Sequence, residues 1–282
     1  MKKSSNPVCH NRRAHDIHAG KYEYKHSEIY NEYEQSRLKR ELSEFLANIP
    51  ENQPLILDLG CGVGNLAIKL ALQGAKMVGG DLSENSLQLL KEKCRNAVGF
   101  AVMDAQKLPF ADNTFDAVCA YSLLHHVPDY LASVSEMLRV VRKGGLIYLD
   151  HENLDSVFSP DADMVEYYKK TRKTIFRKLN ELFVTGDLFS TELYSSVFKR
   201  LFVNHRHKRE GDLHVFADDH VKWEKVEAVA LERGCRKLYV KDYLLYRPFG
   251  KDSVGLHKKY NQKLADMRTL VLTKCVPETD NF

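Results

Sequence analysis

Three acidic side chains and a glycine-rich turn are the residues of this 282-residue sequence whose types and spacing could do chemistry. The apolar run Ile56-Leu57-Asp58-Leu59 enters Gly60-Cys61-Gly62-Val63-Gly64, with glycines at alternate positions, and a helical pattern starts at Asn65. Glycines at such a turn let the main chain lie against a ligand, and the free NH groups at the next helix's start offer donors. A plain strand-to-helix turn would use the same glycines, so the acids decide. Asp81 ends the next apolar run 21 positions after Gly60, where a carboxylate can accept from both hydroxyls of a ribose. Asp104 closes the third run in the same way. Ser83 is available to cap the helix after Asp81, which frees that acid from capping. A nucleoside-like ligand is implied.

Which nucleoside follows from charge and spacing. A dinucleotide site would place its third glycine at position 65, where Asn65 stands, and would be repelled by Asp58 beside a pyrophosphate. Both points speak against an NAD-dependent oxidoreductase. Asp58 suits a positive group near the turn, such as the ammonium of an amino acid joined to a nucleoside.

The elements that must position these residues alternate. LILDLG (55–60), KMVGGD (76–81), VGFAVM (98–103), FDAVCAYS (115–122) and GLIYLDH (145–151) read as strands, separated by helical stretches at 65–74, 83–96 and 129–142. Strand and helix in alternation, with apolar runs buried on both faces, predict a parallel sheet. CRKLYVKDYLLY (235–246) and MRTLVLTKC (267–275) bring the count to seven strands. The fold class is therefore α/β, a doubly wound seven-stranded and mostly parallel sheet.

Four regions follow: an N-terminal arm with a lid helix (1–50), a ligand-binding core (51–151), a helical cap insertion (152–214), and a C-terminal helix with the last two strands (215–282). Ser27 is expected to cap the helix that ends before Pro50, and Asp218 or Asp219 the helix that stops at Gly234. The histidines at 10, 15, 18 and 26 fit no compact ligand set, and a solvated arm is expected there. No metal site is expected.

Hydrophobic residues at 44% and charged residues at 28% exclude extended disorder and coiled-coil character. No apolar run reaches the roughly 18 residues of a membrane span, and the first residues lack a signal peptide's apolar middle. A cytosolic protein is expected. Six scattered cysteines predict reduced thiols, and a net charge of +4 is too small to argue for nucleic acid.

The motifs resemble those of class I S-adenosylmethionine-dependent methyltransferases, within the group that includes ubiquinone and menaquinone biosynthesis methyltransferases. LDLGCGVG is similar to the family's first motif, GGDLS to its second-strand acid, MDAQKLPFADNTFDAV to its adenine segment, YSLLHHVPD to the end of its fourth strand, and LRVVRKGGLIYL to the entry of its fifth. The likeness covers residues 50–151. It implies that Asp58 faces the methionine ammonium and that Gly60, Cys61 and Gly62 form the turn against methionine and ribose. It further implies that Asp81 holds the ribose hydroxyls, that Leu82 lies against the adenine, and that Asp104 and the Ala105 NH meet the ring's polar edge. Tyr121 and Ser122 would border the sulfonium. S-adenosylmethionine would be the cofactor and a small molecule the acceptor. A catalytically silent relative, or an RNA or protein methyltransferase using the basic cap, is the alternative.

Methyl transfer from a sulfonium is an in-line displacement in which positioning supplies most of the acceleration, with a base needed only for a weakly acidic acceptor. His126, just before Val127-Pro128-Asp129, and His125 beside it are the candidate bases. Asp150, His151 and Glu152 come next. Tyr22, Tyr24, Tyr30 and Tyr33 are candidate lid contacts. Residues 169–178 hold six basic and no acidic side chains, and 199–209 hold five more. A solvated face is the ordinary reading of such runs; a functional one would attract an anionic acceptor, an acidic membrane surface or RNA.

Overall fold

The strand Leu55–Leu59, β1, sends its side chains alternately into two apolar layers: Ile56 packs with one, Leu57 and Leu59 with the other. In this computed structural model, which describes residues 6–94, 98–208 and 211–276, the pattern extends across a seven-stranded sheet. Its other strands are β2 (Lys76–Asp81), β3 (Gly99–Val102), β4 (Phe115–Tyr121), β5 (Val141–Asn153), β8 (Cys235–Tyr243) and β9 (Met267–Lys274), while β6 (Val215–Phe216) and β7 (Asp219–His220) form a separate hairpin. The spatial order is β3-β2-β1-β4-β5-β9-β8. Strands β3 to β5 run parallel, and β9 is antiparallel to both its neighbours. The doubly wound fold expected from the sequence is the one observed. Strand order reverses between β1 and β4, and such a switch point is where open parallel sheets bind ligands beyond their carboxyl ends.

Helices α1 (Pro7–His18), α2 (Tyr22–Lys25) and α3 (Glu32–Ala47) precede the sheet. Helices α4 (Ala67–Leu72), α5 (Glu84–Lys93) and α6 (Tyr130–Val140) are its crossovers, and α7 (Ala162–Thr171), α8 (Ile175–Val184) and α9 (Thr191–Phe202) follow β5. Helix α10 (Trp223–Glu232) leads into β8, and α11 (Ser253–Tyr260) joins β8 to β9. One layer buries Leu38, Leu42 and Phe45 of α3 with Leu70 of α4 and Leu90 of α5; the other buries Val134 and Met137 of α6 with Trp223 and Val226 of α10.

Several local expectations are corrected. Helix α3 is capped by Asn31, whose Oδ1 accepts from the Glu34 NH at 3.1 Å. Ser27 lies in the preceding turn, where its carbonyl accepts from Asn31 Nδ2. Neither Asp218 nor Asp219 caps α10, because both belong to the hairpin and Lys222 stands at the cap position. Helix α11 had no counterpart in the sequence reading; its polar stretch is capped by Asp252 and buries His257 and Tyr260. The helix expected over 83–96 is α5, and positions 95 and 96 lie outside the described residues.

The N-terminal arm is packed rather than solvated. Ser83 Oγ donates to Asp16 Oδ1 at 2.7 Å, and Asn85 Nδ2 donates to the Asp16 carbonyl, so α1 is docked on the start of α5. Asn11 and His18 are buried. Arg37 fixes α3 from within: its guanidinium donates to Glu34 at 2.8 Å, to Asp150 Oδ2 at 3.2 and 3.3 Å, and to the Tyr243 hydroxyl at 3.0 Å.

Candidate functional site

Strand β1 carries Asp58 to the carboxyl edge and stops at Gly60, whose φ of +69° turns the chain away. A Cβ there would lie 2.6 Å from Leu123 Cδ1, so no larger residue fits without displacement. Gly62, at φ +49°, has nothing within 4 Å of where a Cβ would be, which leaves its peptide bare toward open space. Its NH donates to Asp81 Oδ2 at 2.8 Å, while the Ser83 NH donates to Oδ1 at 2.8 Å. Backbone thus fixes both oxygens of Asp81, and a carboxylate's remaining lone pairs can still receive two hydroxyls. Ser83 also caps α5 through Ser86, as the sequence implied.

Asp58 is 1% exposed and accepts from the Ala67 NH at 2.9 Å, near the start of α4. Burial pushes its carboxyl up to about 8. A cationic group brought beside it would restore the charged form. Asp104 Oδ1 accepts from the NH and from Nε2 of Gln106, which orients it across from Asp81 on the same edge.

These residues line one cavity with about 970 Å³ of empty space, part of it open to solvent. All ten positions singled out for a cofactor lie on its wall: Asp58, Gly60, Cys61, Gly62, Asp81, Leu82, Asp104, Ala105, Tyr121 and Ser122. His126 joins them. Residues the sequence did not flag complete the wall, among them Asn11 and His15 of α1, Ile29 and Met103. An arm of mixed polarity gives no periodic signal for such a role. Of the four candidate lid tyrosines, Tyr22 and Tyr30 line the cavity, whereas Tyr24 is exposed and Tyr33 packs on Tyr246 and His257.

A second chamber of about 640 Å³ adjoins the first and shares His15, Tyr22, Ile29, Ser122 and His126 with it. His125 lines this chamber alone of the two. Its Nδ1 lies 2.8 Å from Glu152 Oε2, and Glu152 Oε1 accepts from the Leu124 NH at 2.7 Å. A carboxylate only accepts, so Nδ1 carries the proton of this contact. His126 is held well below the ordinary histidine value, first by burial and then by His125, His15 and His26 around it. Its Nδ1 is buried without a hydrogen bond, 3.5 Å from Asp212 Oδ1. His125 has the orienting carboxylate, and His126 lies on the wall shared by the two chambers. His125, His126 and Asp212 also offer donor atoms within 4.8 Å of one another, which among the described residues is the one group with a spacing suited to a cation.

Asp150 is committed to structure. Besides Arg37 it accepts from the hydroxyls of Tyr148, Tyr243 and Thr269 at 2.7 to 3.0 Å, which leaves no role as a proton carrier. His151 is fully buried, its value lowered to about 3 by burial, and it stacks on Tyr121 with ring centroids 4.7 Å apart. Such a ring stays neutral and weakly basic. Of the three candidates at the end of the fifth strand, His151 lines the chamber itself and Glu152 serves it through His125. Ser122 and His151 both have positive φ, +55° and +66°, on neighbouring strand ends; strain of this kind concentrates at functional edges. The last residue of β5, Asn153, and Asp212 of the expected insertion line the chamber, and helices α7, α8 and α9 do not.

Residues 57–149 match the family described as a methyltransferase domain. Among curated proteins the chain is 40% identical over 96 residues to a methyltransferase of Streptomyces halstedii (32% of this chain, 34% of that protein). It is 34% identical over 143 residues to a demethylmenaquinone methyltransferase of Staphylococcus saprophyticus (48% and 60%), and 30% identical over 149 residues to a sterol 4-C-methyltransferase of Caenorhabditis elegans (49% and 43%). The chain thus spans between about a third and 60% of the length of these relatives. An S-adenosylmethionine-dependent methyltransferase from Mesorhizobium loti superposes with a TM-score of 0.53 at 17% identity, covering 83% of this chain and 97% of that one. A magnesium protoporphyrin IX methyltransferase from Synechocystis superposes with 0.51 at 16% identity, covering 85% and 83%. These two likenesses show the fold.

Proposed function

We propose that this chain, whose residues 57–149 match a methyltransferase domain, is a class I S-adenosylmethionine-dependent methyltransferase, that its Asp58–Asp81–Asp104 cavity binds S-adenosylmethionine, and that a small-molecule acceptor occupies the histidine-lined chamber beside it. The observation that carries the reading is the shared wall: Ser122 and His126 belong to both spaces, so a donor in one and an acceptor in the other would meet there. The residues present fit the cofactor. Gly62 leaves room for it, Asp58 offers a buried carboxyl for an ammonium, and Asp81 has lone pairs for two hydroxyls. The cofactor, once bound, supplies an electrophilic methyl carbon.

The chain's own work is then positioning, exclusion of water and proton acceptance. Tyr22, Ile29 and Tyr30, held over the cavity by the docked arm, shield it from solvent. His125, oriented through Nδ1 by Glu152, is the group that would accept a proton from an acidic hydroxyl, amine or carbon on the acceptor, with Glu152 stabilising the imidazolium. The demethylmenaquinone and sterol methyltransferases among the similar proteins support an acceptor of small-molecule class. Calorimetric titration with S-adenosylmethionine, S-adenosylhomocysteine and NAD tests the donor side. Binding of the two sulfur nucleosides without NAD is expected, and Asp81→Ala is expected to weaken it by about 1.5–3 kcal/mol by removing charge-assisted hydrogen bonds. Binding of NAD in their place, or an unchanged affinity in the variant, would move the ribose elsewhere.

A further inference from the structure

Helices α8 and α9 have no buried residue. In α8, Ile175, Phe176 and Phe183 stand on the surface; in α9, Phe198, Leu201 and Phe202 do. Phe176 is 82% and Phe202 74% exposed. Among the described residues, half of the large apolar side chains left exposed fall between 175 and 203. Exposed apolar area on this scale marks an interaction surface.

The charge of the same stretch says what covers it. Residues 169–208 hold ten basic and three acidic side chains. Two of the three acids are already engaged: Asp187 is buried with Lys25 at 2.7 Å, and Glu181 pairs with Lys173 at 2.9 Å. Arg177 and Lys178 in α8, and Lys199 and Arg200 in α9, interrupt the apolar positions. Phenylalanine and leucine on one side of a short helix, with lysine and arginine on the other, is the pattern that lies in a lipid–water boundary. A second copy of this face would bring two basic surfaces together and repel. No described helix is long and apolar enough to cross a membrane, so the platform would rest on the surface rather than span it.

We propose that α8, the turn Asp187–Phe189 and α9 dock on a membrane surface bearing anionic lipid. The platform is continuous with the lid of the site. Lys173 donates to the Lys25 carbonyl at 2.8 Å and lies 3.7 Å from Glu28, which lines the second chamber. Docking would hold the lid edge at the bilayer, and this does not depend on which acceptor the chamber takes.

The full chain is sedimented with vesicles of phosphatidylcholine alone and of phosphatidylcholine with phosphatidylglycerol in equal parts, at low and high salt. Binding to the anionic vesicles is expected, about tenfold or more above the neutral ones and weakened by salt. Phe176→Ser with Phe198→Ser and Phe202→Ser, and separately Lys178→Glu with Lys199→Glu and Arg200→Glu, should each abolish it while leaving S-adenosylmethionine binding and the melting curve unchanged. No binding to anionic vesicles would overturn the proposal. So would binding that survives both triple variants, retention by RNA in preference to vesicles, or a dimer in gel filtration that the serine variant dissolves.

Discussion

Phe45 and Phe198 sit on helices of similar amphipathic pattern and meet opposite fates. Phe45 of α3 is fully buried against Tyr148 of the sheet, with ring centroids 5.2 Å apart, while Phe198 of α9 is 58% exposed. The difference extends to charge. In the region around α3, polar groups are paired inward, as in the Glu34–Arg37–Asp150 set beneath the sheet's edge. Around α8 and α9 the basic side chains point to solvent beside apolar ones. An apolar stripe with an internal partner builds a core; the same stripe without one builds a surface for something outside the chain.

The largest effect is expected in the chamber, where polar groups are paired for chemistry. His125→Ala should lower the transfer rate by about 10²–10⁴-fold while cofactor affinity holds, the range that a positioned base contributes. Glu152→Gln should give part of that loss. Chelation by EDTA should leave the rate unchanged; a loss restored by added divalent metal would instead give His125, His126 and Asp212 to a cation. Next in size is the core. Phe45→Ala should cost about 3–5 kcal/mol in urea unfolding, from lost transfer energy and the cavity left behind.

A smaller, pH-dependent effect belongs to Asp58. With its carboxyl raised to about 8 by burial, the group is mostly protonated at pH 7 in the free protein. Binding of a cationic amine beside it should therefore release a proton at pH 7, and affinity should rise with pH until the ligand's own amine, near 8, deprotonates. Above that point binding should take up a proton. Calorimetric heats measured in buffers of different ionisation enthalpy report the sign directly, and heats that do not vary with buffer would remove Asp58 from the ammonium site. The smallest effect is on the platform: Phe198→Ser should change unfolding stability by no more than about 0.5 kcal/mol, as for exposed positions in general. A loss as large as that of Phe45→Ala would erase the contrast between the two helices and place α9 in a core.

Local pattern determined a good deal of this protein. Seven strands, their alternation with helices, and the turn Gly60–Gly64 with Asp81 and Asp104 at successive strand ends are written in runs of neighbouring residues, because strand burial and tight turns depend on local side-chain type. What sequence proximity does not encode was decided by the tertiary structure. The reading that placed histidines 10 to 26 on a solvated arm failed because the Asp16–Ser83 contact that docks α1 links residues 67 positions apart. Asp150 is a secondary acid–base candidate by sequence, and Arg37, Tyr243 and Thr269 converge on it from three separate elements to give it a structural role. Likewise the carboxylate that orients His125 is Glu152, 27 positions away and across the neighbouring strand. Residue types and spacing fix which groups a chain can bring to one edge; burial and partners drawn from distant segments fix whether such a group is charged, paired or exposed, and so what it can do.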